Sequence, residues 1–207
     1  MTPTPGWRNF DNSPSVRLAK HPLLFRLLSG VGLVGASQKK FIAFVRENEI
    51  NFADATNRLP LGADCVQVLY SCHMLEHLVP TKAERFLQEA FRVLKPGGIL
   101  RIAVPDLRIL VDEYLASGNA DQFVEKLNMV NDKPNSFRKR LFYLIVGERR
   151  HQWQYDAQSL CALIEAQGFV EAKALAAGET AIPNPGPLNL HERSHESLYV
   201  EAKKPAR

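Results

Sequence analysis

Two short stretches of this chain hold histidines at spacings that chemistry can use. His73, Glu76 and His77 fall within SCHMLEHL, and His191, Glu192 and His195 within HERSH. The first reads H-x-x-E-H and the second H-E-x-x-H, the spacings with which a helix offers two imidazoles to zinc and a carboxylate to a water. Both patterns need a long helix and a further ligand. HERSH follows the Pro/Gly-rich PNPGPLNL, leads at once into the strand-like SLYVEA and has only 12 residues after it, while His73 stands in a loop leaving a strand. Zinc hydrolysis is therefore not expected, and no metal is expected. A neutral imidazole at a strand end can instead take a proton. On that ground His73 is the first catalytic candidate, with His77 and His151 next; the competing role for each is structural, as a helix cap or a backbone partner. The G-x-G-x-x-G spelled by Gly30, Gly32 and Gly35 follows a helical apolar run, where a nucleotide-binding turn requires a strand.

The elements that must position these residues are legible around them. Val66, Val68 and Leu69 make a short buried strand running into Ser71, Cys72 and His73. After Pro80, Thr81 and Glu84 have capping-box spacing, and Ala83, Phe86, Leu87, Ala90, Val93 and Leu94 recur along one helical face. Pro96 and Gly97-Gly98 predict a stop and a turn into a strand from Ile99 to Val104. Asp106 caps the next helix, a role that fits it better than that of a base. Strand, helix, parallel strand is one crossover unit, and ligands of such sheets sit beyond the carboxyl ends of the strands. Those ends are Ser71-Cys72-His73 and Pro105-Asp106. LKPGG lies at the opposite edge and is a folding signal.

The 207 residues suit one domain, and a net charge of +4 with pI near 9.0 is mildly basic. The basic clusters Lys39-Lys40, Arg138 to Arg140 and Arg149-Arg150 are scattered, so nucleic acid is not an expected partner. Cys65, Cys72 and Cys161 form no C-x-x-C, and no apolar leader opens the chain; a reduced, cytoplasmic protein is the natural reading. HPLLFRLLSGVGLVG, residues 21–34 and the glycine after them, is too short and charged to span a bilayer. It reads as a helix covering the sheet, with peripheral membrane contact or closure over a greasy substrate as the alternatives. A helical insert of about residues 107–150 includes one helix with Phe123, Leu127 and Val130, and a second capped by Ser136 with Phe137, Leu141, Leu144 and Ile145. Asp156 caps a later helix that ends at Gly168.

The block from Ser71 through His73, Leu75, Glu76 and His77 to Arg92–Gly98 and Leu100–Asp106 resembles class I S-adenosylmethionine-dependent methyltransferases, of the type 11-like group. GWRNFD resembles that family's second strand, INFADATNRLP its third, and HQWQYDAQSLCALIEAQGF with ESLYVEAKK its late helix and last strand. The resemblance implies a single α/β domain with a Rossmann-like open, mostly parallel sheet, helices on both faces and an antiparallel last strand. It implies S-adenosyl-L-methionine as cofactor and methylation on O or N of a small-molecule, sugar or lipid-linked acceptor, with the insert as substrate lid. It places Asp11 at the ribose hydroxyls, Asp54 and Ala55 at the adenine end, and Ser71, Cys72 and His73 along the cofactor. Trp153 and Tyr155 then line the acceptor pocket or pack in the core.

One departure stands out. The family's first strand and its Gly-rich turn have no counterpart before GWRNFD, where the chain begins MTPTPG. An N-terminally shortened chain, a catalytically inactive methyltransferase-like binding or scaffold protein, and replacement of the turn by GVGLVG are the three readings of that gap.

Overall fold

The computed structural model describes residues 3–129 and 150–206. The second insert helix expected from Ser136, with Phe137, Leu141, Leu144 and Ile145, and the cluster Arg138 to Arg140 lie outside the described residues.

The described residues fall into two compact units. The first is built from the N-terminal segment. Strand β1 (Asn9–Asp11) leads through α1 (Pro14–Ala19), α2 (Pro22–Gly30) and α3 (Ala36–Glu47) to β2 (Ile50–Phe52). β1 and β2 pair in parallel, with Asp11 opposite Phe52, which bears out the two strands expected at GWRNFD and INF. Val16, Leu18, Ile42, Val45 and Ile50 close a small core between them. The GVGLVG segment connects α2 to α3: Gly30 closes the first helix, Gly32 turns at φ +74°, and the Gly35 N–H donates to Gln38 Oε1 as α3 begins. Within α2 Leu23 (82%), Leu24 and Leu27 (64%) are exposed, while Phe25 and Leu28 are half-buried against the small core.

The second unit carries a four-stranded sheet. Its elements are β3 (Val66–Cys72), α4 (Pro80–Val93), β4 (Leu94–Pro105), α5 (Leu107–Ser117), α6 (Ala120–Leu127), α7 (Ala157–Ala166), β5 (Val170–Leu175) and β6 (Ser197–Lys203). The strand order is β3-β4-β6-β5. β3 and β4 are parallel, and β6 runs antiparallel to both neighbours, so the last strand alone reverses direction. This is the Rossmann-like arrangement expected from the sequence. Ala83, Phe86, Leu87, Ala90 and Val93 of α4 are buried, and most of them join Leu100, Ile102, Val104, Leu160, Ile164 and Val200 in one core. Each large aliphatic or aromatic side chain so buried contributes about 1.5–3 kcal/mol.

Two local expectations are corrected. Thr81 does not cap α4; the N-cap is Val79 and Pro80 takes the first helical position, where its fixed φ and missing N–H cost nothing. The strand after α4 begins at Leu94 rather than Ile99. The Pro-Gly-Gly run does not form a free turn but stays in the ladder through a register shift, Val66 facing Leu94 and Val68 facing Ile99. Gly97 takes φ +75° and donates to Lys204 O, so the irregular backbone is still hydrogen-bonded.

Two buried charges brace this sheet. Arg101 and Glu201 face each other across β4 and β6 and pair at 2.6 Å with the arginine fully buried. Glu201 also accepts from Thr180 Oγ1 at 2.6 Å and from the Ala181 N–H at 2.7 Å. Arg101 also donates to Glu179 O at 2.9 Å.

Candidate functional site

β3 and β4 end side by side, with Cys72 opposite Ala103, and the chain leaves β3 at His73 with φ +46°. That left-handed turn throws the next residues out of the sheet into a short 3-10 turn, Leu75–His77. Leu75 anchors the turn in the core, and Glu76 is carried in with it, 1% exposed. The Glu76 carbonyl accepts from the N–H groups of Gln152 (2.7 Å) and Trp153 (3.1 Å). Those two bonds bring the segment Arg150–Tyr155 against the strand end, although it lies far along the chain.

His73 is tied through one ring nitrogen. Its Nε2 is 2.9 Å from Ser197 Oγ, which donates its own hydrogen to Glu192 O, so Nε2–H is the donor in that pair. Its Nδ1 lies 3.3 Å from Glu76 Oε1. His77 and His151 are arranged differently. Nδ1 of His77 is 3.1 Å from the Arg150 carbonyl, and Nδ1 of His151 is 3.1 Å from the Leu127 carbonyl. A carbonyl can only accept, so each Nδ1 carries the hydrogen and each lone pair sits on Nε2. Gln154 Nε2 donates to the same Leu127 carbonyl at 2.7 Å and lies 3.1 Å from His151 Nδ1. The two rings meet edge to face with centroids 5.1 Å apart. Burial holds His151 below its ordinary pKa, against the opposing pull of Glu76, so the ring is neutral near pH 7.

The other strand-end residues are inert by themselves. Burial pushes the Cys72 thiol up, away from thiolate chemistry. Burial likewise pushes the Tyr155 phenol up to about 12. Ser71 Oγ is buried without a hydrogen-bond partner among the described residues. Asp106 accepts from the Arg108 N–H at 2.9 Å and is the N-cap of α5, as its sequence position indicates. Trp153 is 46% exposed, and Tyr155 is 2% exposed in the core. HERSH lies among turns before β6, with no helix to align its histidines.

In the first unit Asp11 ends β1. Its carboxylate accepts from the Ser13 N–H at 2.5 Å, and burial raises its pKa. Asp54 follows β2 directly, and Ala55 opens the segment that belongs to the second unit. The structure thus groups His73, Glu76, His77 and His151 with Ser71 and Cys72, and groups Asp11 with the end of β1. Sequence reasoning named the three histidines but missed Glu76 as their common neighbour, although its place inside H-x-x-E-H was a usable signal.

Residues 33–102 match the family model described as a methyltransferase domain. The matched residues are thus similar to the family that the sequence motifs also resemble. No curated protein sequence matches the chain significantly. Among solved structures it is similar to a SAM-dependent methyltransferase from Archaeoglobus fulgidus, at 14% identity, TM-score 0.48, 96% of this chain and 87% of that one. It is similar to a SAM-dependent methyltransferase from Thermotoga maritima, described as a possible histamine N-methyltransferase, at 22% identity, TM-score 0.44, 79% of this chain and 67% of that one. A chain in the complex of the Haloferax volcanii Trm112 methyltransferase activator with a methyltransferase matches at 15% identity and TM-score 0.44, over 76% of this chain and 61% of that one. The chain thus spans less than two thirds of that last relative.

Proposed function

We propose that this protein transfers a methyl group from S-adenosyl-L-methionine to an oxygen or nitrogen of a small-molecule, sugar or lipid-linked acceptor in the cytoplasm. The methyltransferase-domain match over residues 33–102 is the observation that carries this reading. When bound, S-adenosylmethionine supplies a methyl group already activated on a sulfonium, so the protein's main contribution is orientation. The residue types fit such a ligand. The unpartnered buried hydroxyl of Ser71 stands at the end of β3, and the carboxylate of Asp11 ends β1, suited to paired hydroxyls. Asp54 and Ala55 follow β2 and serve the adenine end.

Proton removal from the acceptor falls to an imidazole with an available lone pair. His77 and His151 meet that condition at Nε2, while the His73 lone pair, on Nδ1, is buried against Glu76 and its Nε2–H is held by Ser197, so His73 acts by positioning the turn. The exposed side chains Leu23, Leu24, Leu27 and Val31 support contact with a membrane surface or a lipid-linked acceptor. Among the described residues no helix is long and apolar enough to cross a membrane.

One observation favours a second reading, a non-catalytic binding or scaffold role. GVGLVG joins two helices and does not form a Gly-rich turn at a strand end. Calorimetric titration with S-adenosylmethionine and with S-adenosylhomocysteine separates the two. The enzyme reading expects saturable binding that Asp11→Ala weakens at least about tenfold, roughly 1.4 kcal/mol. Absence of heat and of thermal stabilisation at millimolar ligand would refute it.

A further inference from the structure

Glu76 poses a problem that methyl transfer does not solve. Its carboxylate is buried, and neither oxygen accepts a hydrogen bond from the described residues. An ionised carboxylate in that state is costly unless something cationic faces it. His73 is the nearest group, at 3.3 Å, but its Nδ1 makes no hydrogen bond to the carboxylate. Nε2 of His77 stands 3.8 Å from the same oxygen, Glu76 Oε1. His151 completes the group: one ligating atom from each of Glu76, His77 and His151 lies within 4.8 Å of the other two.

From this geometry we infer that Glu76, His77 and His151 form a binding site for a divalent transition metal of the zinc class. One carboxylate and two imidazoles are a donor set that suits zinc, cobalt or iron and leaves coordination positions open. Ligand atoms around a metal at about 2.0–2.1 Å are about 3.3 Å apart in a tetrahedron, so closing the group requires contractions of about 0.5–1.5 Å. Rotation of the partly exposed His77 side chain, 32% accessible, supplies part of that movement.

The surroundings are those of ligands already oriented. Each imidazole donates its Nδ1–H to a backbone carbonyl, Arg150 O for His77 and Leu127 O for His151, which fixes the tautomer that leaves Nε2 to bind metal. The Gln152 and Trp153 N–H groups hold the Glu76 backbone at the same place, so the third ligand is supplied by the chain that Glu76 itself pins. The site draws its Glu-His pair from the H-x-x-E-H pattern, while His73 donates its Nε2–H to Ser197.

The inference stands apart from the methyl-transfer reading, because a metal held by Nε2 of His77 and His151 would occupy the lone pairs assigned there to proton removal, and its test uses metal alone. The full chain, stripped with a chelator, is titrated with Zn²⁺, Co²⁺, Mn²⁺ and Mg²⁺ by calorimetry, and Co²⁺ binding is followed by its visible absorption. The expectation is one equivalent bound, Zn²⁺ and Co²⁺ tighter than Mn²⁺, and Mg²⁺ weakest. His151→Ala and His77→Ala should each weaken Zn²⁺ at least about tenfold, whereas His195→Ala on the exposed loop should leave it unchanged. Glu76→Gln should weaken it too; since a buried position can fail to fold, the two histidine variants, checked by circular dichroism, decide the matter. No binding at millimolar Zn²⁺, or unchanged binding in His151→Ala and His77→Ala, would overturn the inference, as would preference for Mg²⁺.

Discussion

Arg101 and Glu201 give the sheet a measurable electrostatic signature. Arg101→Met removes the cation and leaves Glu201 at 2% exposure, still accepting from Thr180 Oγ1 and the Ala181 N–H. Breaking a buried pair from one side costs about 3–5 kcal/mol, and the two surviving hydrogen bonds put this variant near 3. Among the described residues Glu201→Gln leaves Arg101 with Glu179 O as its remaining hydrogen-bond acceptor, and Nε and Nη2 already lack partners there, so about 4 kcal/mol is expected. The double variant buries no net charge, and the new amide oxygen at position 201 still accepts from the Ala181 N–H, so its cost should not exceed about 3 kcal/mol. The cycle then yields a coupling of about 4 kcal/mol. The assay is urea unfolding at pH 7 in a Trp7→Phe background, with Trp153 reporting the second unit. Additive single-variant costs, or an Arg101→Met cost under about 1 kcal/mol, would refute the reasoning.

Three further outcomes follow from the same structure. Glu89 accepts from the Leu59 N–H and from Arg92; burial raises its pKa, but these partners outweigh it and hold the carboxyl below its usual value. Its stabilising effect is therefore full at neutral pH and lost as pH falls through the depressed pKa. Glu89→Gln should lower the urea midpoint at pH 7, with the gap narrowing as pH falls below the usual carboxylate range. Gly98→Ala would set a Cβ 2.8 Å from Lys95 O and 3.1 Å from Gln67 O, both backbone, and should cost about 1–3 kcal/mol by thermal unfolding; a neutral result would show that the bulge is malleable. Leu27→Glu on α2 should abolish any co-sedimentation with anionic lipid vesicles while leaving the fold intact by circular dichroism, and undiminished co-sedimentation would exclude α2 as the contact.

The sequence disclosed the periodic elements and concealed the meetings between distant segments. The buried face of α4 and the caps Asp106 and Asp156 were legible because each depends on residues within a turn or two. Pro96-Gly97-Gly98 misled at the start of β4, since the composition of a turn also suits a bulge, here one whose Gly97 N–H finds a partner in Lys204 O. His77 and His151 were both visible as candidates, but their approach depends on the Glu76 carbonyl receiving Gln152 and Trp153, a contact without any periodic trace. Arg101 read as one residue of an apolar strand; only the β4–β6 register reveals that Glu201 is its counterpart.

The turn at His73 also restricts which residues evolution or a mutagenesis library can place there. A backbone at φ +46° admits glycine, asparagine and aspartate readily and penalises β-branched side chains whatever their chemistry. Asparagine would keep the fold and lose the imidazole, while valine would fail before its missing nitrogen mattered. Sequence variation at position 73 therefore records the shape of the chain as much as the chemistry of the ring, and an asparagine there in a related sequence would mark a preserved turn.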